Sequence, residues 1–130
     1  MKTINVVAAI IKQDGKILAT QRARGEHAGG WEFPGGKIEE GETPEAAVVR
    51  EIQEELGATV RIESFLMQVE HDYPAFHLSM GCYVCAVEEG EIQLLEHADA
   101  KWLDAETLDS VAWLPADVAV IEAIKEQGIL

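Results

Sequence analysis

Residues 36–58 read GKIEEGETPEAAVVREIQEELGA, and the rest of the chain is arranged around this stretch. Thr43 is a natural N-cap, Pro44 suits the first helical position, and Gly57 stands where a helix ends in a left-handed turn. At about 100° per residue, Val48, Val49, Ile52 and Leu56 fall on one apolar sector. Glu51, Glu54 and Glu55 fall on another at i, i+3, i+4, so their side chains are expected to converge. Three like charges so close destabilise a bare helix. Their grouping makes sense as a nest for divalent cations.

Outward from this helix the pattern is mostly strand. Ile4 to Lys12 is a near-continuous apolar run rich in β-branched residues, as in a central strand. Asp14-Gly15 signals a tight hairpin, and Lys16 to Arg22 returns as its second strand. Arg24 to Gly30 is a polar loop. Trp31-Glu32-Phe33 is a short strand running into Pro34-Gly35-Gly36, where glycines let backbone approach a ligand closely. Thr59 to His71 and Phe76 to Val87 read as an antiparallel pair, and Ala100 to Leu103 as another strand. Asp104 can cap a short helical turn through about Leu108, and a last helix runs from Pro115 to Gln127 before Gly128. Strands interleaved with two unequal helices predict an α/β fold, a mixed sheet covered on both faces.

The 130 residues form one domain, 48% apolar and 26% charged, which is globular composition. A net charge of −14 argues against a nucleic-acid polymer as partner, because no basic stripe exists to neutralise phosphates. An anionic substrate would need metal ions between it and the protein. No apolar run reaches membrane-spanning length and no signal peptide opens the chain, so the expected location is cytoplasmic. Cys82 and Cys85 form a CxxC, but they sit in an alternating strand pattern. Three apart on a strand, they point to opposite faces, as buried or half-buried free thiols rather than a redox or zinc pair.

The spacing Gly36, five residues, Glu42, seven residues, Arg50-Glu51-Ile52, one residue, Glu54-Glu55, one residue, Gly57 resembles the signature of the Nudix hydrolases. Ala58 departs from it, standing where a bulky aliphatic is usual. Residues 1–37 are also similar to MutT-type and CTP-pyrophosphohydrolase-type members, through VVAAII (6–11), DGKIL (14–18), Gln21-Arg22-Ala23 and WEFPGGK (31–37). The resemblance implies a single Nudix domain over 1–130, an α/β/α sandwich, with Mg²⁺ as cofactor and Mn²⁺ as a possible substitute. It implies Glu51, Glu54 and Glu55 as metal ligands, with the Gly35 carbonyl and Glu96 as further ones. Arg50 becomes an orienter of these glutamates, and Glu42 a supporting partner. Glu51 and Glu96 are alternative general bases, and a solvated loop acid is the other reading of Glu96. His97 is expected to be exposed and unimportant.

For substrate, the same resemblance points to Arg22, His27, Glu32 and Tyr73 around a nucleobase, with Gly35, Gly36 and Lys37 beside them. Tyr73 can equally be an ordinary turn aromatic. Asp117 falls among Val120, Ile121 and Ile124, on the face of the last helix that should be buried, and so needs a hydrogen-bond donor. It either caps the N-terminus of the helix and compensates its dipole in the first turn, or accepts a hydrogen bond from a base. The implied reaction is hydrolysis of a nucleoside triphosphate to monophosphate and pyrophosphate, on (d)CTP, a modified pyrimidine triphosphate or 8-oxo-dGTP. Alternatives are a Nudix hydrolase of ADP-ribose or a dinucleoside polyphosphate, a non-catalytic nucleotide sensor, and an acidic Ca²⁺-binding structural domain. The expected state is a monomer or weak homodimer.

Overall fold

The apolar run near the N-terminus becomes β1 (Thr3–Gln13), the strand on which the sheet is built. The computed structural model describes residues 1–130. On one side β1 pairs in parallel with β6 (His77–Glu89), from Thr3↔His77 to Ile11↔Cys85. On the other it pairs antiparallel with the short β4 (Gly35–Lys37). β5 (Thr59–Asp72) lies antiparallel outside β6. Asp14 and Gly15 both take positive φ, the two-residue turn that the Asp-Gly pair requires, and lead into β2 (Lys16–Gln21). β2 carries β3 (Trp31–Glu32) and β7 (Asp99–Leu103) on its two edges.

Alternation along β1 explains its unbroken hydrophobicity. Val7, Ala9 and Ile11 face α1 (Pro44–Leu56) and join Val48, Ile52 and Leu56 in one buried cluster. Ala8 and Ile10 face α2 (Pro115–Glu126) and join Val120, Ile121 and Ile124 in a second. The sheet is therefore mixed and has a helix on each face. Removing a fully buried side chain such as Ile52 should cost roughly 2–5 kcal/mol. Cys82 belongs to the α2 cluster and Cys85 to the α1 cluster, as expected for residues three apart on a strand. Both are free, and burial pushes each thiol up to about 12. No helix is long and apolar enough to cross a membrane.

Two local expectations change. Phe33 is not part of β3, because its N–H turns away to donate to the Asp117 carboxylate. Residues 105–109 form turns rather than helix. There Asp104 Oδ1 accepts from the N–H groups of Glu106 and Thr107, as a cap would, but no helical ladder follows.

Candidate active site

α1 forms as its capping residues require. Thr43 Oγ1 accepts from Ala46 N at 3.2 Å, and Gly57 closes the helix at φ 66° with its N–H on Gln53 O. Its buried sector sets the rotation of the helix and so the direction of every glutamate. Glu51 and Glu55 turn inward, with side chains 15% and 12% exposed, whereas Glu54 is 55% exposed. The expected convergence of all three is thus only partial. No three acidic, His or Cys side chains close on one point.

Arg50 ties two of these glutamates together. Its guanidinium donates to both oxygens of Glu42 at 2.7 and 2.9 Å, to Glu51 at 2.7 Å and to Glu54 at 3.2 Å. It also donates to the Lys37 carbonyl at 3.0 Å, tying α1 to β4. Arg50 therefore holds glutamates in place, and an i, i+4 pair with Glu54 is one part of that role. Its pKa rises through the Glu42 bond first and the Glu51 bond second, while the Arg50 bond first and the Glu39 N–H second hold the Glu42 carboxyl down to about 2.

Glu55 is in the opposite situation. Burial pushes its carboxyl up to about 9, reinforced by hydrogen bonding with Glu51 and then by the charges of Glu51 and Glu96. Its Oε1 is buried without a hydrogen-bond partner. Gly36 faces Glu51 so closely that a Cβ there would stand 2.5 Å from the carboxylate. Gly35 is equally confined, since a Cβ would run into the Val7 carbonyl. The glycines thus admit β1 and Glu51, which the expectation of ligand approach alone did not include. Crowded carboxylates, an orphaned buried oxygen and a bare Cα edge fit a divalent cation, whose preferred ligands are oxygens.

Glu96 lies across from Glu55 in a depression also lined by Arg22, Arg24, Glu32 and His97. His97 corrects an expectation. Its side chain is 8% exposed, its Nε2 lies 3.5 Å from Glu55 Oε1, and burial lowers its pKa. The signal was its place beside Glu96, which by itself does not reveal burial.

The nucleobase candidates gather around Arg22. Arg22 grips Glu32 with two hydrogen bonds, at 2.6 and 3.3 Å, and its pKa rises chiefly through them. Arg22 lies just past the end of β2, where its N–H and carbonyl close the loop onto Gly30 and Gly29. Arg22, Glu32, Gly35, Gly36, Tyr73 and Asp117 line one cavity of about 180 Å³. That is below the roughly 300–1,000 Å³ usual for ligand sites. A neighbouring cavity of about 380 Å³ shares Arg22 and Tyr73 with it and adds His27. The two together have the necessary room. His27 stands 5.8 Å from the Tyr73 ring, in a positive-φ loop position. Lys37 is not gathered with these residues; it lines a separate groove with Lys2, Thr3 and Asn5.

Asp117 is 5% exposed, and its Oδ1 accepts from Phe33 N at 3.2 Å. It does not cap its own helix, whose N-cap is Leu114 without a side-chain bond. Burial pushes its carboxyl up to about 7, the Phe33 N–H offsetting part of the rise.

The NUDIX domain family model matches residues 1–124. The chain belongs to the Nudix family. It is 37% identical over 124 residues to the CTP pyrophosphohydrolase of Escherichia coli (strain K12), covering 95% of this chain and 92% of that protein. It is 38% identical over 127 residues to the 8-oxo-dGTP diphosphatase of the same organism, covering 96% and 98%. Among solved structures, a MutT NUDIX hydrolase from Burkholderia pseudomallei superposes with a TM-score of 0.85 at 30% identity, covering 95% of this chain and 99% of that one. The chain is accordingly a Nudix pyrophosphohydrolase.

Proposed function

We propose that this Nudix protein is a Mg²⁺-dependent nucleoside triphosphate pyrophosphohydrolase that releases a nucleoside monophosphate and pyrophosphate. Its substrate would be (d)CTP, a modified pyrimidine triphosphate or 8-oxo-dGTP, in a nucleotide-pool-cleaning role. One observation carries the reading: Arg22 and Glu32 line both the Asp117 cavity and the depression of Glu55 and Glu96. A base in the first and a polyphosphate along the second would belong to one molecule. The names of the two Escherichia coli relatives support the same substrate classes.

Glu51, Glu54, Glu55, Glu96 and the Gly35 carbonyl would hold the cation. When bound, it would neutralise phosphate charge and acidify an attacking water. The remaining work is positioning, because phosphoryl transfer asks little covalent chemistry of a protein. Arg50 keeps Glu51 and Glu54 from recoiling through charge-assisted hydrogen bonds. Glu51 or Glu96 would take the proton of the water. Asp117 would read the base edge: its ionised form accepts from an amino group such as cytosine N4, and its neutral form can also donate. Tyr73, with its ring 5.2 Å from Phe76, offers a stacking surface.

The test is a nucleotide panel with purified protein and Mg²⁺, both products being identified. Faster turnover of dCTP and 8-oxo-dGTP than of ADP-ribose is expected. The reverse ranking would move the chain to another branch of the family, and no Mg²⁺-dependent turnover at all would leave the sensor reading.

A further inference from the structure

The segment between β6 and β7 is strapped across the acidic edge by its backbone. Gln93 N donates to Leu56 O at 2.8 Å, Leu95 N to Glu55 O at 3.2 Å, and Ala98 N to Gln21 O at 3.0 Å. The first two bonds use carbonyls of the last turn of α1, which have no partner within the helix. The strap thereby fixes where Glu96 and His97 stand relative to Glu55. His97 Nδ1 and Glu55 Oε1 are both buried and both lack a hydrogen-bond partner. Open polar atoms in one pocket wall call for an explanation. The 3.5 Å between His97 Nε2 and Glu55 Oε1 is longer than a formed N–H···O bond. Hydrogen bonds of catalytic groups often reach full length and alignment only in the complex with ligand.

We propose that His97 is a positioning residue for Glu55, its Nε2–H aimed at Oε1 so that the carboxylate keeps its other oxygen for the cation. The proposal rests on the reading of Glu55 as a cation ligand. Within α1, Arg50 reaches Glu51 and Glu54 but makes no bond to Glu55, whose contact in the helix is with another carboxyl, that of Glu51. Glu55 lies on the far side of the cluster, against the strap. Arg22 and Arg24 line the same depression without an ion pair to Glu55, whereas the strap brings His97 Nε2 to 3.5 Å from its Oε1.

The test is Mn²⁺ titration of the purified protein by calorimetry and electron paramagnetic resonance. It compares wild type, Glu55→Gln, His97→Phe, His97→Gln, and the double variant Glu55→Gln/His97→Phe. His97→Phe should weaken Mn²⁺ binding by about 10- to 100-fold, while His97→Gln, whose amide N–H reaches near the Nε2 position, should stay within about threefold of wild type. In the Glu55→Gln background His97→Phe should add nothing further. Binding by His97→Phe as tight as wild type, or an undiminished loss in the double variant, would overturn the proposal. If His97→Phe does not fold, His97→Asn replaces it. Its amide stops near the Nδ1 position, so it should bind more weakly than His97→Gln, and equal affinities would overturn the proposal. Failure of wild type to bind Mn²⁺ would instead overturn the underlying assignment of the cation ligands.

Discussion

The Glu51 carboxylate rests against the bare Cα of Gly36, where a Cβ would stand 2.5 Å from its Cδ. The glycine thus leaves room for a side chain of the helix that follows it. Gly36→Ala should displace Glu51 by about an ångström and lower kcat by roughly 100-fold. Steady-state kinetics alongside circular dichroism checks this; full activity in the alanine variant would mean that Glu51 has slack.

Glu54 is exposed, so its removal separates chemistry from stability. Glu54→Gln should reduce turnover at saturating Mg²⁺ by at least about 100-fold. Its unfolding free energy should stay within about 0.5 kcal/mol of wild type, as for other surface changes. Undiminished turnover would remove Glu54 from the set of cation-holding groups.

Asp117 gives a pH signature. Its carboxyl is pushed up to about 7 in the folded state, from 3.8. Between these values the folded chain binds more protons than the unfolded one, so stability falls as pH rises. The contribution is complete below about pH 4, is lost as pH climbs to about 7, and changes little beyond. Asp117→Asn cannot titrate. Its stability relative to wild type should grow by a few kcal/mol across that window, as read by denaturant melts at successive pH values. Parallel profiles would show that the carboxyl ionises normally.

His77 offers a second titration. Its Nε2 and Nδ1 lie 2.8 Å from Glu70 and 2.6 Å from Asp72. These bonds, Glu70 first, raise its pKa above 6.5. The stabilisation is complete below 6.5 and is lost as pH rises through the folded value. An NMR titration should place the His77 midpoint above that of a free histidine, and Glu70→Gln should bring it back toward it. An unchanged midpoint in that variant would show that Glu70 is not the cause.

What could be read from the chain follows from the range of the forces involved. Helix α1 was legible because Thr43, Pro44 and Gly57 act within a turn of their own position. The double-sided burial of β1 was legible from its unbroken apolar run. Its parallel partnership with β6 was not, because periodicity assigns a strand to a face and not to a neighbour. Asp117 advertised a need for a donor, yet the donor, Phe33 N, lies 84 residues away in sequence. Glu54 stands outward because the buried sector of α1 fixes the rotation of the helix, which spacing among the glutamates alone does not reveal. His97 was misjudged because the strap that buries it is made of main-chain bonds, which carry no side-chain pattern.

The two cysteines, one on each side of β6, give the molecule an internal clock. Alkylating reagents attack thiolates, and neither sulfur can ionise readily or meet solvent while the sheet stays sandwiched. Labelling of the native protein should therefore proceed only as fast as the layers part. Comparing the uptake of a first and a second label would tell whether the two helices lift off the sheet together or in turn.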